Sequence, residues 1–319
     1  MLSIILWLLA IVAFALVAAI AWLVLRTRWI AARAERDVPM TGRTMRVGSD
    51  TIRYVETGEG RPVLFIHGLG AQLHHFTHSL FEAMGAGWRM VAIDRPGSGY
   101  SVRASSPRIV DQADRIARFI DAVGLGKPLV VGHSLGGAIA LALALRHPDK
   151  VAGLALIAPL TNHVPRPPEA FGGLYIASPL RRRILAETVA VPMSLKLADQ
   201  TLRAIFGPEP PPADYMSKGG GSLGLRPSHF YATASDLVSV ELDLPAQQQR
   251  YGELSMPVGI IYGERDQVLD HVEQGLWMAD KVPGIEIELI PGTGHMPNFT
   301  QPDRVAAFVR RIADRAFAT

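Results

Sequence analysis

Not one cysteine occurs among the 319 residues, and that absence removes disulfide bridges, thiolate catalysis and cysteine-ligated zinc together. It leaves the redox compartment open. Charge is sparse as well: 32 basic and 29 acidic residues give a formal net charge of +3, and charged residues are only 19% of the chain. No basic stripe with interleaved aromatic residues accompanies them, which argues against a nucleic-acid partner. The glycine-rich stretch Asp94-Arg95-Pro96-Gly97-Ser98-Gly99-Tyr100-Ser101 invites a phosphate-binding reading. It has neither the lysine of a P-loop nor dinucleotide spacing, so it reads as the turn by which the chain leaves a strand. His74, His75 and His78 cluster at spacings that could put two on one helical face. No carboxylate sits with them, so the rim or lining of a pocket is the better reading than a metal site.

What the chain has in abundance at its start is apolar side chains. Residues 2–25 contain Ser3 as the one polar side chain and no charge. As a helix, such a run spans roughly 36 Å, enough to cross a bilayer core with some tilt. No basic residue precedes it, it exceeds the apolar core of a cleaved signal, and no convincing small-x-small site follows. The expectation is an uncleaved transmembrane anchor over residues 1–30, meeting membrane lipid through residues 2–25. Trp22 and Trp29 fall where an aromatic belt would sit. Arg26, Arg28, Arg33 and Arg36 all follow the run, and the positive-inside rule then puts the rest of the chain on the cytoplasmic side. Residues 31–42, polar and carrying Pro39, read as a linker.

Beyond residue 42, short apolar runs alternate with helical patterns. Residues 43–47 and 51–56 flank Gly48-Ser49-Asp50 as a hairpin. Residues 63–66, 89–93, 151–157 and 258–262 read as buried strands, and the strict alternation of 285–289 reads as an edge strand. Ile116, Phe119, Ile120 and Val123 recur at helical spacing, as do Val305, Phe308, Val309 and Ile312. This alternation predicts an α/β fold, a mostly parallel sheet with helices on both faces.

The most informative stretch is Leu129-Val130-Val131-Gly132-His133-Ser134-Leu135-Gly136-Gly137-Ala138. A buried strand runs into an Ala- and Leu-rich helix, and the glycines leave room for a strained turn that pushes Ser134 out at the strand's carboxyl end. A serine hydroxyl is a weak nucleophile without a base, and the base needs a group to fix its tautomer. Asp266 follows a buried strand in Gly263-Glu264-Arg265-Asp266, a setting that Asp243 and Asp270 lack. His295 follows the last strand in Pro291-Gly292-Thr293-Gly294-His295-Met296-Pro297.

With nucleophile, acid and histidine in that order, the sequence resembles the α/β-hydrolase superfamily. The resemblance covers about residues 43–160 and 245–316, with further matches at His67-Gly68-Leu69-Gly70 and at the 94–101 loop. It implies an α/β-hydrolase fold whose core comes in two parts, 43–159 and 246–319, interrupted by a mainly helical cap at 160–245. It also implies Ser134, Asp266 and His295 as a catalytic triad, the backbone NH groups of Leu69 and Leu135 as an oxyanion hole, and no metal or organic cofactor.

The stretch expected to form the cap is rich in proline, at 165, 167, 168, 179, 192, 208, 210, 211 and 212, with Gly219-Gly220-Gly221 in its middle. Phe171, Tyr175, Ile176, Met193, Leu197, Phe206, Tyr215, Met216, Phe230 and Tyr231 supply apolar surface for the cap's own core or for a pocket. Arg181-Arg182-Arg183 reads either as a solvated face or as a contact to anionic lipid head groups. Serine rather than aspartate at 134 argues against an epoxide hydrolase or dehalogenase. The expected activity is hydrolysis of carboxylic esters, lipophilic ones given the anchor, through an acyl-enzyme. The same triad also serves carbon-carbon bond hydrolases of meta-cleavage products and perhydrolases. A slow-turnover binding protein on a hydrolase scaffold is the remaining alternative.

Overall fold

The computed structural model describes residues 1–164 and 169–318, the side chains of residues 169 and 170 excepted. Pro165, Pro167 and Pro168, which open the proline-rich stretch, lie outside the described residues. Eight strands form one sheet: β1 (Arg43–Val47), β2 (Asp50–Thr57), β3 (Arg61–Ile66), β4 (Trp88–Ile93), β5 (Leu129–His133), β6 (Gly153–Ile157), β7 (Val258–Gly263) and β8 (Glu286–Ile290). Their spatial order is β1-β2-β4-β3-β5-β6-β7-β8. The pairings of β1 with β2 and of β2 with β4 are antiparallel, and the rest are parallel. Every residue of β5, β6 and β7 is buried, as continuous apolar runs must be when helices cover both faces. One face packs on the helices Ile109–Ala122 and Leu135–Arg146, the other on Pro302–Ala316. At the open edge, β8 keeps a half-buried pattern. Glu286 and Glu288 there meet Arg311 and Arg304 of the last helix at 2.6 Å, charges that discourage further strand pairing.

The chain leaves β3 for β4 on one side and returns to β5 on the other, so the strand order reverses between β3 and β5. Ligands bind at such switch points, beyond the carboxyl ends of the strands. Over that end lie the helices Pro179–Leu185, Val191–Lys196 and Ala198–Phe206, a π-helical turn at Ala186–Ala190, and the long helix Pro227–Gln247.

The amino-terminal helix runs from Leu2 to Asp37 and is long and apolar enough to cross a membrane. Residues 31–37 therefore do not form the expected linker. Ala31, Ala32, Ala34, Glu35 and Arg36 are strong helix formers with no breaker before Pro39, and Ile30 and Ala34, one turn apart, are buried. Only residues 38–42 are left as an irregular connection.

Candidate active site

Ser134 closes β5 with φ 54° and ψ −122°, a conformation that side-chain-bearing residues rarely adopt and that functional sites retain. The glycines around it make this possible. A Cβ at Gly132 would lie 2.7 Å from the Gly136 carbonyl oxygen, and one at Gly136 would lie 2.1 Å from that of Ile66. The β3 exit loop is equally close, since a Cβ at Gly68 would sit 2.8 Å from the Ser134 Cβ. Leu135 is the first residue of the following helix, so its NH has no intrahelical acceptor, and the positive end of the helix dipole lies at the serine.

Asp266 and His295 come from the exit loops of β7 and β8. One carboxylate oxygen of Asp266 accepts from the NH groups of Val268 (2.8 Å) and Leu269 (2.9 Å), and the other accepts from His295 Nδ1 at 2.7 Å. The side chain of Asp266 is fully buried and that of His295 nearly so. Because Nδ1 carries the proton toward Asp266, Nε2 keeps its lone pair. The loops are clasped by Arg265 N donating to the Thr293 carbonyl at 2.9 Å, and His133 Nε2 donates to the His295 carbonyl at 3.0 Å. The two other aspartates are occupied elsewhere: Asp243 pairs with Arg108, and Asp270 caps a short helix through Val272 and Glu273.

The glycine-rich loop after β4 is a built turn. Gly97 and Gly99 have positive φ, and Asp94 accepts from Leu73 N and Tyr100 N, both at 2.8 Å, and from Arg53 at 3.0 Å. Arg95 is fully buried and bonds the carbonyls of His67 and Gly68, each at 2.9 Å, while pairing with Asp236 of the long cap helix at 2.7 Å. It thus ties the β3 exit loop to the cap.

Ser134 and His295 share a cavity of about 460 Å³ with Leu69 and His133. The cap supplies Phe171, Ile176, Met193, Leu197, Tyr215, Met216 and Phe230 to its wall. Three other expected residues serve the cap itself. Phe206 packs with Tyr215 and Phe299, the Tyr175 hydroxyl donates to Glu241 at 2.7 Å, and the Tyr231 ring takes the guanidinium groups of Arg182 and Arg183 at 5.5 Å. Arg182 is accordingly buried, so the arginine run is not a free charged face. A groove of about 480 Å³ between residues 54–60 and Arg89 offers no serine or histidine.

The three clustered histidines diverge. His74 lies 3.3 Å from Arg53, His75 meets the Tyr215 hydroxyl at 3.1 Å, and His78 pairs with Asp214 at 3.0 Å. His75 lines the cavity, and so does His229, which the sequence did not single out. A lone histidine early in a cap helix carries no spacing signal; its place becomes visible only once that helix lies over the β3 exit loop. Burial holds both rings neutral, with pKa values lowered to about 3 for His75 and about 4 for His229.

A strained serine at a strand-to-helix turn, with an aspartate-oriented histidine in the same cavity at the switch point of a mainly parallel sheet, is the arrangement of a serine hydrolase. Residues 61–302 match the α/β hydrolase fold family, and the chain belongs to that family. A 2-hydroxy-6-oxononadienedioate/2-hydroxy-6-oxononatrienedioate hydrolase of Dechloromonas aromatica is 26% identical over 276 residues, covering 82% of this chain and 89% of that protein. The monoacylglycerol lipase abhd6-A of Xenopus laevis is 26% identical over 266 residues, 80% of this chain and 77% of the lipase. A dihydrolipoyllysine-residue acetyltransferase component of the acetoin cleaving system of Cupriavidus necator is 35% identical, but over 40% of this chain and only 34% of its own length. Among solved structures, a membrane phospholipase A superposes with a TM-score of 0.70 at 23% identity, covering 100% of both chains.

Proposed function

We propose that the protein is a membrane-anchored serine hydrolase that cleaves neutral, lipophilic carboxylic esters through an acyl-enzyme. The cavity carries this reading. Its wall is mostly aliphatic and aromatic, and among the described residues no arginine or lysine lines it. A carboxylate-bearing substrate would enter without a counter-ion, at a desolvation cost that a neutral ester avoids.

In this reading Ser134 Oγ attacks the ester carbonyl carbon while His295 Nε2 takes the hydroxyl proton. The carbonyl electrons move to oxygen, where the NH groups of Leu69 and Leu135 hold the charge. Collapse breaks the bond to the alcohol oxygen, which leaves with the proton from His295. Water, deprotonated by His295, then attacks the acyl-enzyme, and the acid departs as Ser134 regains its proton. Asp266 stays ionised and holds the imidazole by Nδ1–H. No step calls for a metal or organic cofactor. Insertion of residues 2–25 in the membrane would hold the cavity beside a lipophilic reservoir, and the four arginines after that run place the domain on the cytoplasmic side by the positive-inside rule. The lipase from Xenopus, aligned over four fifths of this chain, is consistent with an ester substrate.

A second reading, hydrolysis of a carbon-carbon bond in a dienoate, is favoured by the hydrolase from Dechloromonas, aligned over a slightly larger share. Turnover by the full-length protein in detergent micelles separates the two. A p-nitrophenyl ester series from acetate to palmitate is set beside a 2-hydroxy-6-oxo-dienoate. The ester reading expects turnover that improves with acyl length; a dienoate cleaved faster than every ester would replace it with the second.

A further inference from the structure

The cavity wall next to the β3 exit loop differs from the rest. His75 and His229 line it at 5% and 3% exposure. Nδ1 of His75 and both ring nitrogens of His229 have no hydrogen-bond partner. Buried polar atoms are almost always paired, so unpaired imidazole nitrogens in an otherwise apolar chamber mark a place where a bound molecule completes the hydrogen bonding.

Packing fixes both rings. His75 is held through Nε2 by the Tyr215 hydroxyl at 3.1 Å and lies edge-on to Phe299 at 5.3 Å. Its carbonyl accepts from Asn298 Nδ2 at 2.7 Å, which ties it to the segment just after His295. His229 stands one helical turn before Thr233, whose methyl would be 3.4 Å from a Cβ at Gly70, so this turn of the cap helix abuts the β3 exit loop. The Gly70 carbonyl is close enough to favour the protonated ring yet outside hydrogen-bond geometry. His75 feels the charge of both His229 and His295, which puts the three imidazoles in one neighbourhood.

Because both rings are neutral, each offers one N–H donor and one lone pair. The complement of a donor beside an acceptor is a hydroxyl, which both accepts and donates. A carboxylate could use the donors only, and it would bring an unneutralised charge into a buried site. The side of the scissile bond follows from the chemistry. His295 must protonate the departing oxygen, so the alcohol lies toward His295 and its neighbour His75, while the acyl chain takes the apolar cap side. Resting on the ester-hydrolase reading above, we propose that His229, with His75 beside it, forms a subsite for a free hydroxyl on the alcohol portion of the substrate. The preferred substrate is then a partial ester of a polyol bearing a lipophilic acyl chain. His229 is a specificity residue here; the reaction itself remains with the triad.

The test compares 1-monooctanoylglycerol with propyl octanoate, which share an acyl group and differ in the hydroxyls, using full-length protein in micelles and titration of the released acid. Wild type should favour the glycerol ester in kcat/KM by about tenfold or more, as a site with an otherwise unpaired polar group does. Replacing His229 by leucine or by phenylalanine, read on whichever variant folds, should lower that ratio about tenfold, chiefly through KM. His229→Gln, which keeps a neutral donor and acceptor, should retain most of it. A wild-type ratio near one, or a ratio unchanged in the apolar variant, overturns the subsite. Failure of the ester reading looks different: wild type would turn over neither octanoate while cleaving a dienoate.

Discussion

The hydroxyl of Thr27, on the amino-terminal helix, donates to the carbonyl of Thr188 in the cap at 2.6 Å. Thr188 belongs to the π-helical turn Ala186–Ala190, and its neighbours Val189 and Ala190 line the cavity. The same turn is thus gripped from outside by the anchor helix and faces the substrate space from inside. Ile30 and Ala34 are buried along that contact, and Glu35 pairs with Arg226 at 3.2 Å.

Two truncations should therefore behave differently. Removing residues 1–24 deletes most of the apolar run but spares Thr27, Ile30, Ala34 and Glu35, and should leave the melting temperature almost unchanged. Removing residues 1–37 exposes the cap surface under Ile30 and breaks the Thr27 bond, a loss of about 2–4 kcal/mol from burial and hydrogen bonding. For a chain of this size that corresponds to a drop of about 5–10 °C, and KM for a short water-soluble ester should rise as the cap wall loosens. Equal melting curves and equal KM for the two forms would show the docked segment to be a passive tether.

Ser134→Ala should lower kcat by about a thousandfold or more, because only binding and oxyanion stabilisation would remain. A fluorophosphonate should label the wild-type chain at Ser134 and leave the variant unlabelled. Retention of a tenth of the wild-type rate by the alanine variant would remove the serine from the mechanism.

Asp266→Asn keeps the shape of the side chain but offers an amide where His295 Nδ1–H now donates at 2.7 Å. The histidine should turn to the other tautomer, with Nε2 protonated and unable to take the serine proton, and kcat should fall by about four orders of magnitude. Folding should survive if the amide oxygen still accepts from Val268 and Leu269. Near-normal turnover by this variant, measured alongside an inactive Asp243→Asn, would transfer the orienting role to Asp243.

The parts of the site legible in the sequence are those whose requirements are local. Gly132 and Gly136 are demanded by the turn itself, where a Cβ at either would meet backbone, and Asp266 and His295 each follow an apolar run that can only be a buried strand. What stayed hidden depends on partners distant in the chain. Arg95 looked like one residue of a turn, yet its carbonyl acceptors and Asp236 meet only when the cap closes over β3. Arg182 read as surface until Tyr231 supplied a ring for its guanidinium. The 31–37 segment was misread because polarity suggested a linker where helix propensity and the buried pair Ile30 and Ala34 prevailed.

The buried histidines also set the pH dependence of stability. Burial lowers the pKa of His75 to about 3 and of His229 to about 4 from an ordinary 6.5, and holds His67 and His133 well below that value. In the unfolded chain all four take protons near pH 6.5, whereas in the folded chain they do not until the pH is far lower. Below about pH 6.5 the unfolded state therefore binds more protons, and stability falls as the pH falls, by about 1.4 kcal/mol per pH unit for each such histidine. Above that pH these groups are neutral in both states and contribute no slope. Melting temperatures of the full-length protein should be flat from pH 7 to 8 and drop steeply between pH 6 and 4. His229→Gln removes one of the four titrating groups and should make that drop shallower by about one proton's worth, with the plateau above pH 7 as the reference. A variant whose melting temperature declines as steeply as wild type over the same interval would show that His229 is already protonated in the folded protein.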